Sequence, residues 1–115
     1  MKPRTKQFAL GVIKMVESLP KDQTSRVLGN QLLRAGTSVG ANYRAACRSK
    51  STADFISKMG NVEEEADESG FWMELLVDAR KVKTGKASAL LQEAGELTAI
   101  AVASINTARK SGNQR

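Results

Sequence analysis

At 115 residues the chain is long enough for one hydrophobic core and too short for two. Its 18 Lys and Arg against 12 Asp and Glu leave a net charge of +6, which permits contact with a polyanion without specifying one. Histidine is absent, which excludes Ser-His-Asp triads, the usual zinc sites and Glu-x-x-His di-iron ligands, and the single cysteine excludes an intrachain disulfide and suits a reducing, cytoplasmic setting.

Aromatic residues make up 4% of the chain and proline occurs only at Pro3 and Pro20, a composition that favours an all-α fold. Phe8, Val12, Met15, Val16 and Leu19 recur at helical spacing and predict a first helix over residues 5–19, stopped by Pro20. Asp22, Thr24 and Ser25 open a second helix over 24–48, whose stripe is Leu28, Leu32, Ala35, Val39, Tyr43 and Ala46. Ser51 and Asp54 resemble a capping box. The seam Phe55, Met59, Val62, Ala66, Ser69, Met73 and Leu76 then predicts a third helix over 52–83, which Thr84-Gly85 is expected to stop. Leu90, Ala94, Leu97, Ala101, Ser104 and Ala108 give a slender fourth helix over 86–110, followed by a polar tail from Ser111 to Arg115.

No segment alternates with period two, so residues 1–115 are expected to form one antiparallel four-helix bundle running up-down-up-down. Such a bundle gathers Lys2, Arg4, Lys6, Arg44, Arg48, Lys50, Arg109, Lys110 and Arg115 at one end, and Lys21, Arg80, Lys81, Lys83 and Lys86 at the other. The longest charge-free apolar run, Leu97 to Ala108, falls short of the roughly 20 residues a membrane helix needs, and no secretory core follows the basic start. Neither a membrane span nor a signal peptide is expected.

Charge is unevenly placed. From Gln23 to Ala53 there are five bases and no acid, whereas Glu63 to Asp78 holds seven acids and no base. On a helical wheel Arg26, Arg34, Arg44 and Arg48 share one face of the second helix, within an arc of about 80°. Gly29, Gly36, Gly40 and Cys47 form another sector, where small residues allow a second backbone to come close. On the third helix Phe71 and Leu75 lie amid the acidic face with Trp72 at its edge, an arrangement suited to a subunit contact. A local bend that buries them in the bundle's own core is the alternative. If the patch is an interface, Phe71, Trp72, Leu75, Gly36 and Gly40 are its candidate residues, and its acidic rim complements the arginine face, so that head-to-tail contacts close into a cyclic homo-oligomer.

The segments Leu32-Leu-Arg-Ala-Gly-Thr-Ser-Val-Gly-Ala-Asn-Tyr-Arg44, Ser51-x-x-Asp-Phe55-Ile-Ser-Lys, Glu64-Glu-Ala-Asp-Glu-Ser69 and Phe71-Trp-Met-Glu-Leu-Leu76 resemble the bacterial four-helix bundle proteins of the rRNA intervening-sequence family. That family is similar in fold to the accessory variability determinant of diversity-generating retroelements. The resemblance implies a homopentamer with a basic surface suited to RNA or DNA, contact with a reverse transcriptase in the retroelement relative, and no enzymatic activity. Arg34, Ser38, Asn42 and Arg44 match the motif. Val39-Gly40 stands where many members have Ile-Pro, and Ala45 where they have an acid, so no polar network around Asn42 is carried over. Ser38, Asn42 and Gln31 are expected to satisfy backbone groups or Glu64 and Glu68 within the bundle, with ligand contact as the alternative.

Other chemistry is discounted. Glu64, Asp67 and Glu68 on consecutive turns of one helix are more often solvated or ion-paired than metal-bound, Cys47 lacks an activating histidine, and Thr84-Gly85-Lys86 lacks the upstream glycine and strand of a phosphate loop. No catalytic residue, metal or cofactor is expected. The leading expectation is a scaffold that holds nucleic acid electrostatically through Arg44, Arg48, Lys50, Arg109 and Lys110. The alternative is a protein-interaction module serving a reverse transcriptase or other partner. A peripheral membrane binder lacks an apolar wedge.

Overall fold

The computed structural model describes residues 1–113. Four helices account for most of them: α1 (Lys2–Glu17), α2 (Gln23–Cys47), α3 (Thr52–Asp78) and α4 (Thr84–Asn113). They lie side by side in a rod of 53 × 21 × 20 Å. Each packs on its neighbours in the cyclic order α1, α2, α3, α4, with α1 and α3 on one diagonal and α2 and α4 on the other. Short links reverse the direction each time, as expected of an up-down-up-down bundle.

Local chemistry sets the helix ends. Pro3 falls in the first turn of α1, where a missing N–H costs nothing because no intrahelical acceptor exists for it, so the helix starts earlier than the apolar stripe suggests. Asp22 caps α2 by accepting the Ser25 N–H at 2.8 Å, and Ser51 caps α3 by accepting the Asp54 N–H at 3.0 Å. Asp54 turns its carboxylate to Lys58 at 2.9 Å. The Ser25 amide, then Lys81 at 3.2 Å, hold the Asp22 carboxyl below the usual carboxylate range, and this contact ties the α1–α2 link to the α3–α4 link.

The end of α3 departs from the expectation. The helix stops at Asp78, well before Thr84-Gly85, because Arg80 takes a left-handed conformation with φ of 61°. The Lys81 N–H then reaches the Leu76 carbonyl at 2.8 Å and the Arg80 N–H reaches Val77 at 2.9 Å, the paired bonds of a Schellman ending. An arginine does here what glycine usually does, so no sequence signal marked the stop. Gly85 sits inside the first turn of α4.

One core runs the length of the rod. Phe8, Val12, Leu32, Val39, Met59, Val62, Met73, Leu76, Leu97 and Ala101 are buried in it, with Leu28, Tyr43, Phe55 and Leu90 packed at its margin. The α3 seam is as read from sequence. In α4 the buried position late in the helix is Ile105 rather than Ser104, because a straight helix drifts off a strict heptad.

The α2 glycines have a specific use. A Cβ on Gly36 would stand 2.8 Å from both Val12 methyls, and one on Gly29 would stand 3.0 Å from Leu19 Cδ1. Gly36 is buried within the chain against α1, so its place among the intersubunit candidates is withdrawn. The close backbone approach that the small residues permit is made by the chain's own first helix.

Candidate nucleic-acid interface

The chain before Asp54 carries more than the whole of the surplus positive charge. Before Asp54 the chain has ten bases and only two acids, Glu17 and Asp22, whereas from Asp54 on it has eight bases and ten acids. Folding places the first set on α1 and α2 and the second on α3 and α4, so the rod has a basic side and an acidic side.

On the basic side, the N-terminal half of α1 and the C-terminal half of α2 leave a groove between them of about 600 Å³. Lys2, Lys6 and Arg44 flank it, Ala9, Gly40 and Ala41 pave it, Thr5 and Thr37 supply hydroxyls, and no carboxylate lines it. Gly40 thus belongs to this groove, with Thr5 Oγ1 at 3.4 Å from where its Cβ would lie. None of the three cations is ion-paired among the described residues. Thr37 Oγ1 donates to the Leu33 carbonyl at 2.8 Å, with Arg34 O at 3.3 Å, which leaves its oxygen able to accept from the groove.

The track continues to the end of the rod. Arg48 is one turn beyond Arg44 and Lys50 lies in the link to α3, both exposed. A Cβ on Gly112 would lie 3.5 Å from Thr52, so the last turns of α4 lie beside the start of α3, and exposed Arg109 and Lys110 share the end with Arg48 and Lys50. The fold therefore places Arg48, Lys50, Arg109 and Lys110 at one end of the rod, with Arg44 one turn before Arg48.

Arg4 does not join them. Its guanidinium makes a bidentate pair with Glu93, both contacts at 2.7 Å, and reaches Glu96 at 2.8 Å. That pair pushes the Arg4 pKa further up and holds the Glu93 carboxyl down. It also places the first turn of α1 midway along α4, about four turns from Arg109. The expected gathering of both termini at one end is corrected accordingly. The N-terminal cations face the α2 groove. Arg115 lies outside the described residues.

Thr37 is the lining residue that the sequence pattern did not single out, and Lys2 and Lys6, expected at this end with Arg44, were not among the candidate contacts. The signal that finds them is the absence of any acid over the facing halves of α1 and α2.

The motif polar residues serve the helix. Ser38 Oγ donates to the Arg34 carbonyl at 2.6 Å and Asn42 Nδ2 to the Ser38 carbonyl at 2.9 Å, the backbone satisfaction expected of them. The acids of α3 that face α2 are Glu65 and Glu68, at 3.8 and 3.5 Å from Arg34. Burial, then repulsion by Glu68, raises the Glu65 pKa against the pull of Arg34. Among the described residues no group of three His, Cys, Asp or Glu side chains is placed to hold a metal ion, and no helix is long and apolar enough to cross a membrane.

Large apolar side chains are exposed on α2 and on α3. Phe71 is 51% exposed and Val27 is 54% exposed, while Trp72 and Leu75 are half-buried. Trp72 packs edge-to-face on Phe71 at 5.0 Å, and its Nε1 is buried with no hydrogen-bond partner. The two readings of this patch divide: Trp72 leans on the bundle's own core, and Phe71 remains outside it.

The model of the 23S rRNA-intervening sequence protein family matches residues 2–103. No curated protein matches the chain. Among solved structures the chain is similar to a protein of unknown function from the S23 ribosomal protein family of Bacteroides thetaiotaomicron VPI-5482. The two are 31% identical with a TM-score of 0.84, over 90% of this chain and 96% of that one. The chain therefore belongs to the 23S rRNA-intervening sequence protein family.

Proposed function

We propose that the protein is a non-enzymatic, cytoplasmic scaffold that assembles into a cyclic homo-oligomer and holds RNA or DNA by its phosphates. The observation that supports this reading is a set of exposed cations, none ion-paired among the described residues, with Lys2, Lys6 and Arg44 at the groove and Arg48, Lys50, Arg109 and Lys110 at the end of the rod, and no acid among the described residues that line the groove. Cations without partners keep their full attraction for phosphate, and each phosphate neutralised releases condensed counterions. No aromatic side chain lines the groove, so binding is salt-dependent and indifferent to base sequence. In a ring of five, the number implied by the resemblance to the accessory variability determinant, the protomers together carry about +30.

The exposed Phe71 beside Trp72 favours a second reading, a protein-interaction module whose partner is another copy or a reverse transcriptase-like protein. Size-exclusion chromatography with light scattering, run with and without a structured RNA at low and moderate salt, separates the two. An oligomer that shifts with RNA only at low salt supports the scaffold. An oligomer indifferent to RNA supports the interaction module, and a monomer refutes the assembly.

A further inference from the structure

The groove between α1 and α2 offers more than charge. Lys2, Lys6 and Arg44 supply donors and positive charge, which suits phosphate oxygens. Thr37 adds a hydroxyl that donates back to the Leu33 carbonyl at 2.8 Å, so its oxygen stands in the groove as an acceptor. A phosphate has nothing to donate to it at neutral pH. A ribose 2′-hydroxyl does, and a deoxyribose does not.

We infer that this groove is a ribose-phosphate site that takes the backbone of a single RNA strand, with Lys2, Lys6 and Arg44 on consecutive phosphates and Thr37 accepting from a 2′-hydroxyl. The inference rests on the nucleic-acid reading above and adds to it a seat and a preference for RNA over DNA. A strand suits the site better than a mononucleotide because Lys2 and Lys6 are a full helical turn apart, about 6 Å, with Arg44 across the groove on another helix. Small residues pave the floor, so a sugar edge can come close without displacing a side chain.

The test is fluorescence anisotropy with a 12-nucleotide single-stranded RNA and the DNA of the same sequence, across a salt series, on the full chain. The parent is expected to bind RNA about fivefold more tightly than DNA, the worth of one ordinary hydrogen bond. Thr37→Val, which keeps the shape and removes the acceptor, should bring that ratio near one while leaving the DNA affinity in place. The triple variant Lys2→Glu, Lys6→Glu, Arg44→Glu should weaken RNA more than tenfold beyond a charge-matched control at the other end, Lys21→Glu, Lys83→Glu, Lys86→Glu. It should also flatten the salt slope by about two to three. Circular dichroism checks that each variant keeps its helicity.

Several results overturn the inference. If only reversal of Arg48, Lys50, Arg109 and Lys110 abolishes binding, the groove is not the seat although the nucleic-acid reading stands. If the parent binds neither strand, both fall. Competition by poly-glutamate as effective as RNA identifies an acidic peptide site, and displacement by adenosine monophosphate at strand-like concentrations identifies a mononucleotide pocket.

Discussion

Replacing Gly36 by alanine sets two effects of known size against each other. In a helix interior alanine is favoured over glycine by about 0.8–1 kcal/mol. Gly60 shows this alone, since a Cβ there meets nothing within 4 Å, so Gly60→Ala should stabilise the bundle by about that amount. At Gly36 the same Cβ would stand 2.8 Å from both Val12 methyls and 3.0 Å from Val12 Cβ, far inside the usual carbon contact of about 3.5–4.0 Å. Val12 is fully buried and β-branched, with one rotamer open to it in a helix, so α1 itself must shift. Overpacking of that kind costs about 1–3 kcal/mol, which outweighs the helix term. Gly36→Ala should therefore be neutral to destabilising by up to about 2 kcal/mol. At about 4 °C per kcal/mol for a chain of this size, the melting temperatures of the two variants should differ by about 4–12 °C. Urea titration supplies the free energies. Adding Val12→Ala to Gly36→Ala should cost less than the sum of the single changes by about 1 kcal/mol. Equal stabilisation by Gly36→Ala and Gly60→Ala would refute the tight α1–α2 seam.

Phe71→Asp places a charge in the proposed contact and should give smaller species by light scattering; a variant that sediments as the parent does removes Phe71 from the interface. Arg80→Gly relieves the left-handed strain at the end of α3 and should stabilise by about 1 kcal/mol in urea titration, with no gain if the Schellman ending is not formed. Glu65 has a raised folded-state pKa, so its contribution to stability is fullest below its unfolded pKa and is lost as pH rises through the folded value. Glu65→Gln should accordingly be more stable than the parent at pH 7, and the gap should close toward pH 4. A less stable Glu65→Gln at pH 7 would mean that attraction to Arg34 outweighs burial.

The bundle was legible because its seams repeat. Met59, Val62, Ala66, Ser69, Met73 and Leu76 recur at alternating steps of three and four, and burial falls on them. Helix ends were less legible where a residue acts against its propensity: Arg80 ends α3 in a conformation that only its surroundings impose. The site was partly legible. Arg44, Arg48 and Lys50 stand out because no acid interrupts them, and Arg109 and Lys110 join them through the topology. Lys2 and Lys6 needed the packing of α1 on α2, and the withdrawal of Arg4 needed the position of Glu93 and Glu96, neither of which a single helix pattern contains. Gly36 misled because a small-residue stripe reads the same whether the backbone that approaches belongs to this chain or to another.

The same stripe links the fold to the proposed work of the surface. Because Gly36 and Gly29 admit α1 closely, Lys2 and Lys6 come to flank the groove with Arg44 instead of projecting apart. The nearest acids, Glu93 and Glu96 on α4, are held by Arg4, and the other acids after Asp22 lie on α3, which is diagonal to α1 in a rod about 20 Å wide. At physiological salt the screening length is about 8 Å, so across that width the acidic flank subtracts little from the potential of the groove. The exposed Phe71 is on α3 and the groove is lined by α1 and α2, so the proposed assembly and the proposed phosphate contact use different faces. A variant such as Phe71→Asp should then lose the proposed oligomer while each protomer keeps the proposed preference for RNA over DNA. What it forfeits is the affinity gained when several grooves engage one strand. Loss of that preference together with the oligomer would mean instead that the site is completed by a neighbouring copy.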